Sequence, residues 1–205
     1  TNAQANILSP VITNSAKGGV VNITKNGTGT WLLEGTSTST GVTTVDAGTL
    51  GGNGGVGGNL VVNTGGTFAA GGLNTVGDFS VGGSFTLNTG GILGVQLAGT
   101  LPAQIDLLSV TGAATLSGAL NVSLLSFSPA LNSTYTVLTA AGGITDNGLT
   151  LTGAAGFQKQ IVGNSLVLKY VGGALSGLAA VPEPSSMVLI GLAMMCLGSR
   201  RQARA

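Results

Sequence analysis

Between residues 18 and 173 the chain alternates apolar and polar positions in short runs, and Gly-Gly pairs separate many of them. Leu60 and Val62, then Phe85 and Leu87, then Leu116, Leu120 and Val122 stand at even spacings. A period of two puts such side chains on one face of a strand, whereas a helix needs apolar positions three and four apart. Val, Ile and Thr are frequent in these runs, and β-branched side chains suit a pleated surface. The glycine pairs are read as turns that need positive φ. The pattern predicts an all-β region.

The runs also repeat. VGGNLVVNTGGTF, from Val56 to Phe68, returns 25 residues later as VGGSFTLNTGGIL, from Val81 to Leu93, with seven identical positions. A looser echo, VTGAATLSGALNV, runs from Val110 to Val122. A repeat of this length made of short strands suits one coil of a parallel β-solenoid. One coil cannot bury its inward row alone, but coils stacked ~4.8 Å apart make a continuous core. About 170 residues at ~25 per coil give about seven coils and a rod of roughly 33 Å. In that arrangement Val56 pairs with Val81, and Gly65 with Gly90, across adjacent parallel strands. The competing arrangement is an antiparallel sandwich of hairpins, which the same alternation permits.

Composition narrows the function more than the fold. Charged residues are 6% of the chain, against roughly a quarter in an average domain. With 43% hydrophobic residues and a net charge of +1, the chain collapses rather than staying disordered. The same charge leaves no electrostatic footprint for nucleic acid. Histidine is absent, and the single cysteine, Cys196, lies inside a C-terminal apolar run. Ser-His-Asp and Cys-His sites are therefore excluded, and a metal site would need carboxylates alone. No catalytic, metal or cofactor-binding residue is assigned. Glu34, Asp46, Asp78, Asp106 and Asp146 are spread along the solenoid with no Asp-Asp or Asp-x-Asp pair. They are expected to be solvated turn acids, with Glu34 and Asp46 as the pair able to neighbour each other across a turn.

Three further features carry two readings each. Gly52 to Gly57 spells GxGxxG, but a strand from Asn59 follows where a dinucleotide site needs a helix N-terminus. The same stretch lacks the carboxylate that a calcium-binding nonapeptide would place at Gly55 or Val56. Trp31 either stacks on a sugar ring or fills or caps the solenoid, and the structural role is expected. The Ser, Thr and Asn positions either hold extended polysaccharide or form a plain soluble strand face.

The segment KNGTGTWLLEGTSTSTGVTTVDAGTL, Lys25 to Leu50, resembles the autotransporter-associated β-strand repeat. Lys25, Gly27, Gly29, Thr30, Trp31, Leu33, Gly35, Gly41, Thr43, Val45, Gly48, Thr49 and Leu50 carry the likeness. Ser39-Thr40 departs from it, because the family often has an aromatic before its turn glycine. The resemblance implies a right-handed parallel β-helix of the kind found in secreted passenger regions, and by itself no activity.

The chain end reads AVPEPSSMVLIGLAMMCLGSRRQARA, from Ala180 to Ala205. Pro182 and Pro184, around Glu183, break any incoming strand or helix and leave extended backbone. Ser185 to Ser199 carries no charge, and Met187, Val188, Leu189, Ile190, Leu192, Met194, Met195 and Leu197 make it an apolar helix. Arg200, Arg201 and Arg204 follow and hold the C-terminus on the cytoplasmic side. Fifteen helical residues cover about 22 Å against a hydrocarbon core of roughly 30 Å, so the segment suits a temporary membrane stop. This arrangement resembles the PEP-CTERM sorting signal of Gram-negative, exopolysaccharide-producing bacteria. The resemblance implies transient processing near the Pro-Glu-Pro motif by an exosortase-type membrane protease.

The expected organisation is a start of the solenoid, or a remnant of a longer chain, over 1–24. A β-solenoid over 25–172 and a linker over 173–181 follow, then the sorting signal over 182–205. The fold class is all-β, a right-handed parallel β-helix with one C-terminal transmembrane-type α-helix. The expected function is a non-enzymatic structural or adhesive protein, exported through the inner membrane to the cell surface or extracellular matrix. Its partners are the exosortase, the membrane and an exopolysaccharide. The alternative is the C-terminal fragment of a polysaccharide-binding or polysaccharide-degrading β-helix protein. A true autotransporter passenger would instead need a C-terminal β-barrel where the sorting tail stands.

Overall fold

The computed structural model describes residues 5–72 and 74–173. The short apolar runs become strands, and the glycine and asparagine clusters between them become corners. β1 (Asn6–Leu8) opens the series, and β2 (Ile23–Lys25) and β3 (Thr30–Leu33) form the next turn. Full coils of three strands follow: β4 (Thr43–Val45), β5 (Gly48–Gly52) and β6 (Gly55–Val56); then β7 (Leu60–Val62), β8 (Gly66–Ala70) and β9 (Asp78–Val81). The next are β10 (Phe85–Leu87), β11 (Ile92–Leu97) and β12 (Leu107–Val110), then β13 (Ala114–Leu116), β14 (Ala119–Leu124) and β15 (Thr134–Ala140). β16 (Ile144–Asp146), β17 (Thr150–Gly153), β18 (Phe157–Val162) and β19 (Ser165–Tyr170) complete the set.

Successive coils give one strand to each of three sheets. The first sheet runs β1-β3-β5-β8-β11-β14-β17, and the second runs β2-β4-β7-β10-β13-β16. The third begins β6-β9-β12-β15, and all of these neighbours pair in parallel. Parallel sheets interleaved in this way have the topology of a β-solenoid. Val56 is paired with Val81 in parallel register, and the Gly65 N–H donates to the Gly90 carbonyl at 3.1 Å. The hairpin sandwich is not what forms.

The register explains the alternation. Leu50, Phe68, Leu93 and Leu120 stack in one inward column of the first sheet, each no more than 1% exposed. Val45, Val62, Leu87 and Leu116 stack in the second sheet, and Val56, Val81, Val110 and Ala140 in the third. Fully burying one such side chain contributes about 1.5–3 kcal/mol. Phe68 and Phe79 meet edge to face at 4.9 Å, tying two walls together across the core.

Coil length is not constant. Stacked residues are 17 apart at Asp46 and Asn63, 25 apart at Asn63 and Asn88, and 29 apart at Gly77 and Asp106. The additional residues sit in the corners, so the strands keep their register. Asparagine holds one corner together: Asn88 Nδ2 donates to Asn63 Oδ1, and Asn63 Nδ2 to Asp46 Oδ1, both at 2.7 Å.

Two expectations are corrected by the geometry. Of the glycine pairs, Gly65 and Gly90 do adopt positive φ, at 87° and 79°. Gly57-Gly58 and Gly82-Gly83 do not; they are there because coils touch. A methyl group on Gly82 would lie 2.5 Å from the carbonyl oxygen of Gly57 in the coil below, and one on Gly112 would lie 2.7 Å from that of Gly83. The second correction concerns the last sheet, which does not stay parallel to its end. β19 pairs antiparallel with β15, and β18 antiparallel with β19. Gly163-Asn164 is the two-residue hairpin turn between them. The hairpin covers the edge of β15 and packs an aromatic series, Phe127, Tyr135, Phe157 and Tyr170, with ring centres 6.0, 6.0 and 5.1 Å apart.

Candidate functional site

The charged residues show which parts of the solenoid are structural. Lys25 stands in register with Val45, at the head of the column that continues through Val62, Leu87 and Leu116 to Asp146. Its side chain is buried, and the ammonium donates to the carbonyls of Asn26 at 3.1 Å, Gly27 at 2.6 Å and Ala47 at 2.8 Å. Burial lowers its pKa from the ordinary lysine value. At the other end Asp146 accepts from the N–H groups of Gly148 and Leu149 and pairs with Lys159. Burial alone would raise the Asp146 pKa. The Lys159 bond and the two N–H groups outweigh it and hold the pKa below the usual carboxylate value.

Trp31 is in register with Leu50, so it extends the Leu50–Phe68–Leu93 column by one place. It is 40% exposed because β1 offers only Asn6 opposite it. With Leu8, Ile12, Ile23 and Leu33 it lines a cavity of about 220 Å³. A place at the head of a core column is what a capping role requires.

The acids divide unevenly. Glu34 is exposed, and Asp46 belongs to the asparagine corner rather than to a site with Glu34. Asp78 is exposed at the start of β9. Asp106 departs from the expectation of a solvated turn acid: it is 1% exposed. Its Oδ1 accepts from the Gly77 N–H and its Oδ2 from the Gln96 N–H, both at 2.8 Å. Burial raises its pKa to about 7 against the pull of these two bonds, and the Asp78 charge adds to the rise. Pro102 signals a turn before it, but nothing in the sequence marks the acid itself as inward. A carboxyl sealed in this way offers no surface to a substrate. Among the described residues no three of His, Cys, Asp and Glu converge as metal ligands would.

Of the sequence-assigned residues, all those of the tail lie outside the described residues: Pro182, Glu183, Pro184, the apolar run from Met187 to Leu197, and Arg200, Arg201 and Arg204. The expected C-terminal helix lies there too. Among the described residues no helix is long and apolar enough to cross a membrane. Residues 180–202 match the PEP-CTERM protein-sorting motif. No curated protein matches the chain. The motif marks an exported, surface-directed protein that passes through the membrane and is sorted by an exosortase, a membrane enzyme.

Proposed function

We propose that the chain is a non-enzymatic structural or adhesive protein of the cell surface or extracellular matrix, released to that place by exosortase processing of its tail. The match of residues 180–202 to the sorting motif carries this reading. The body of the chain supports it: a β-solenoid with little charge, no histidine, and acids used in corners and internal bonds. An uncharged surface rich in Ser, Thr and Asn suits an exopolysaccharide as matrix partner.

In the same proposal Lys25–Leu50 is an autotransporter-associated β-strand repeat. The bonds made by Lys25 give each motif residue a task, since its ammonium needs the Gly27 carbonyl and leaves no room for a side chain at Gly48. Ser39, in place of the usual aromatic neighbourhood, is buried and donates to the Val21 carbonyl at 2.6 Å. The coil is right-handed, as about 98% of parallel crossovers are; a crystal structure reads the hand directly.

The sorting test is chemical. Apolar residues of the run each gain a few tenths of a kcal/mol on insertion, while arginine costs ~2.5–3.5 kcal/mol at mid-bilayer. The run therefore stops transfer, with the Pro-Glu-Pro backbone outside. Mass spectrometry of cell fractions should find mature protein lacking the segment after about Pro184. Replacing Pro182, Glu183 and Pro184 by alanine should trap a membrane-bound precursor. Mature protein that still ends at Ala205 in an exosortase-bearing host would make the tail a plain anchor.

A further inference from the structure

Residues 98–106 leave the solenoid between β11 and β12 as a short closed excursion. Leu97 bridges to Ile105, the Ala98 N–H donates to the Gln104 carbonyl at 2.8 Å, and a single 3₁₀ turn, Pro102–Gln104, forms the tip. Leu101 at the tip is 63% exposed, and the 3₁₀ turn has no buried residue. A segment with so few apolar contacts opens at low cost unless something else holds it. Beneath it lies a cavity of about 220 Å³ lined by Thr100, Pro102, Ile105, Leu107, Thr134 and Thr136.

Asp106 is what holds it. Its two oxygens bind backbone N–H groups from different elements, Gly77 in the coil below and Gln96 in β11. The usual partner of a buried carboxylate is missing, because no Lys, Arg or His occurs anywhere between Lys25 and Lys159. Every strand packed against Asp106 comes from that interval. β11 presents Gln96 and the 3₁₀ turn Gln104, both neutral, while Asp78 beside Gly77 carries a charge of the same sign. A buried negative charge bound only by neutral donors is costly, whereas the neutral carboxyl is not.

We infer that Asp106 is a proton-dependent latch: it holds the 98–106 excursion closed on the acid side of neutrality and releases it above. The sign follows from linkage. In the closed state the carboxyl titrates at about 7, and in the opened, hydrated state at an ordinary value near 3.8. The closed state therefore binds more protons between these values, and its advantage, complete at low pH, is lost as pH rises through 7. Opening should become almost tenfold more frequent per pH unit in that window, and roughly a hundredfold more frequent at pH 8 than at pH 5. Above neutrality the cavity under the excursion would open to solvent.

Amide hydrogen exchange on the full chain tests this, with rates corrected for intrinsic pH dependence. Protection at Gly77, Gln96 and Ala98 should fall about a hundredfold from pH 5 to pH 8, while Phe68 and Leu93 remain better protected throughout. In Asp106→Asn the fall should disappear. Protection independent of pH, the same fall in Asp106→Asn, or core amides moving in step with the excursion would each overturn the latch. Should that variant not fold, the carboxyl ¹³C titration of Asp106 in the native chain decides: a midpoint in the ordinary carboxylate range would end the inference.

Discussion

Replacing Gly82 by alanine should damage the solenoid far more than replacing Gly65, although only Gly65 has a left-handed backbone. At Gly65, with φ of 87°, an added methyl group meets nothing nearer than the Asp46 carbonyl oxygen at 3.6 Å. The cost there is the backbone strain alone, about 1–2 kcal/mol. At Gly82 the methyl group would lie 2.5 Å from the Gly57 oxygen and 3.1 Å from its Cα. A comfortable contact needs roughly 3.5 Å, so the coils must part by about 1 Å from a ~4.8 Å spacing. That strains the bonds from Gly82 N–H to Val56 O at 2.8 Å and from Gly83 N–H to Gly58 O at 3.0 Å. Each orphaned group costs about 1–3 kcal/mol, giving a total of roughly 3–5 kcal/mol. That is a large part of the ~5–15 kcal/mol that keeps a typical domain folded. Urea unfolding followed by circular dichroism measures both. A Gly82→Ala loss below about 1 kcal/mol, or one smaller than that of Gly65→Ala, would show that coil contact is not why glycine stands there.

Lys25→Met should lower stability by about 2–4 kcal/mol, since it leaves the Asn26, Gly27 and Ala47 carbonyls without their shared donor. Lys17→Met, at an exposed position, should stay within about 0.5 kcal/mol of the native chain in the same urea experiment. The purified chain should release no reducing ends from polysaccharide. Cleavage that vanishes when Glu34, Asp46, Asp78 and Asp146 become amides would overturn the non-enzymatic proposal.

The period of two at Leu60 and Val62, its return at Phe85 and Leu87, and the paired Asn-Thr-Gly-Gly corners were enough to determine parallel stacking. They allowed Val56 to be placed opposite Val81 before any coordinate was considered. The tail was legible for a different reason: prolines, an uncharged run and arginines act in linear order on a membrane, so their meaning needs no tertiary contact. The distinction between Gly65 and Gly82 was not legible, because a glycine that bends its own backbone and one that makes room for another coil look identical in one dimension. The Gly163-Asn164 hairpin signal was present, but only the end of the stack decides whether the next strand continues the coil or folds back over its edge. Asp106 lay furthest from reach. Whether an acid beside a turn faces water or the interior depends on how a neighbouring coil presents its amides, here those of Gly77 and Gln96. That is decided by packing, since the two donors lie 29 and 10 residues away along the chain and meet only when the coils stack.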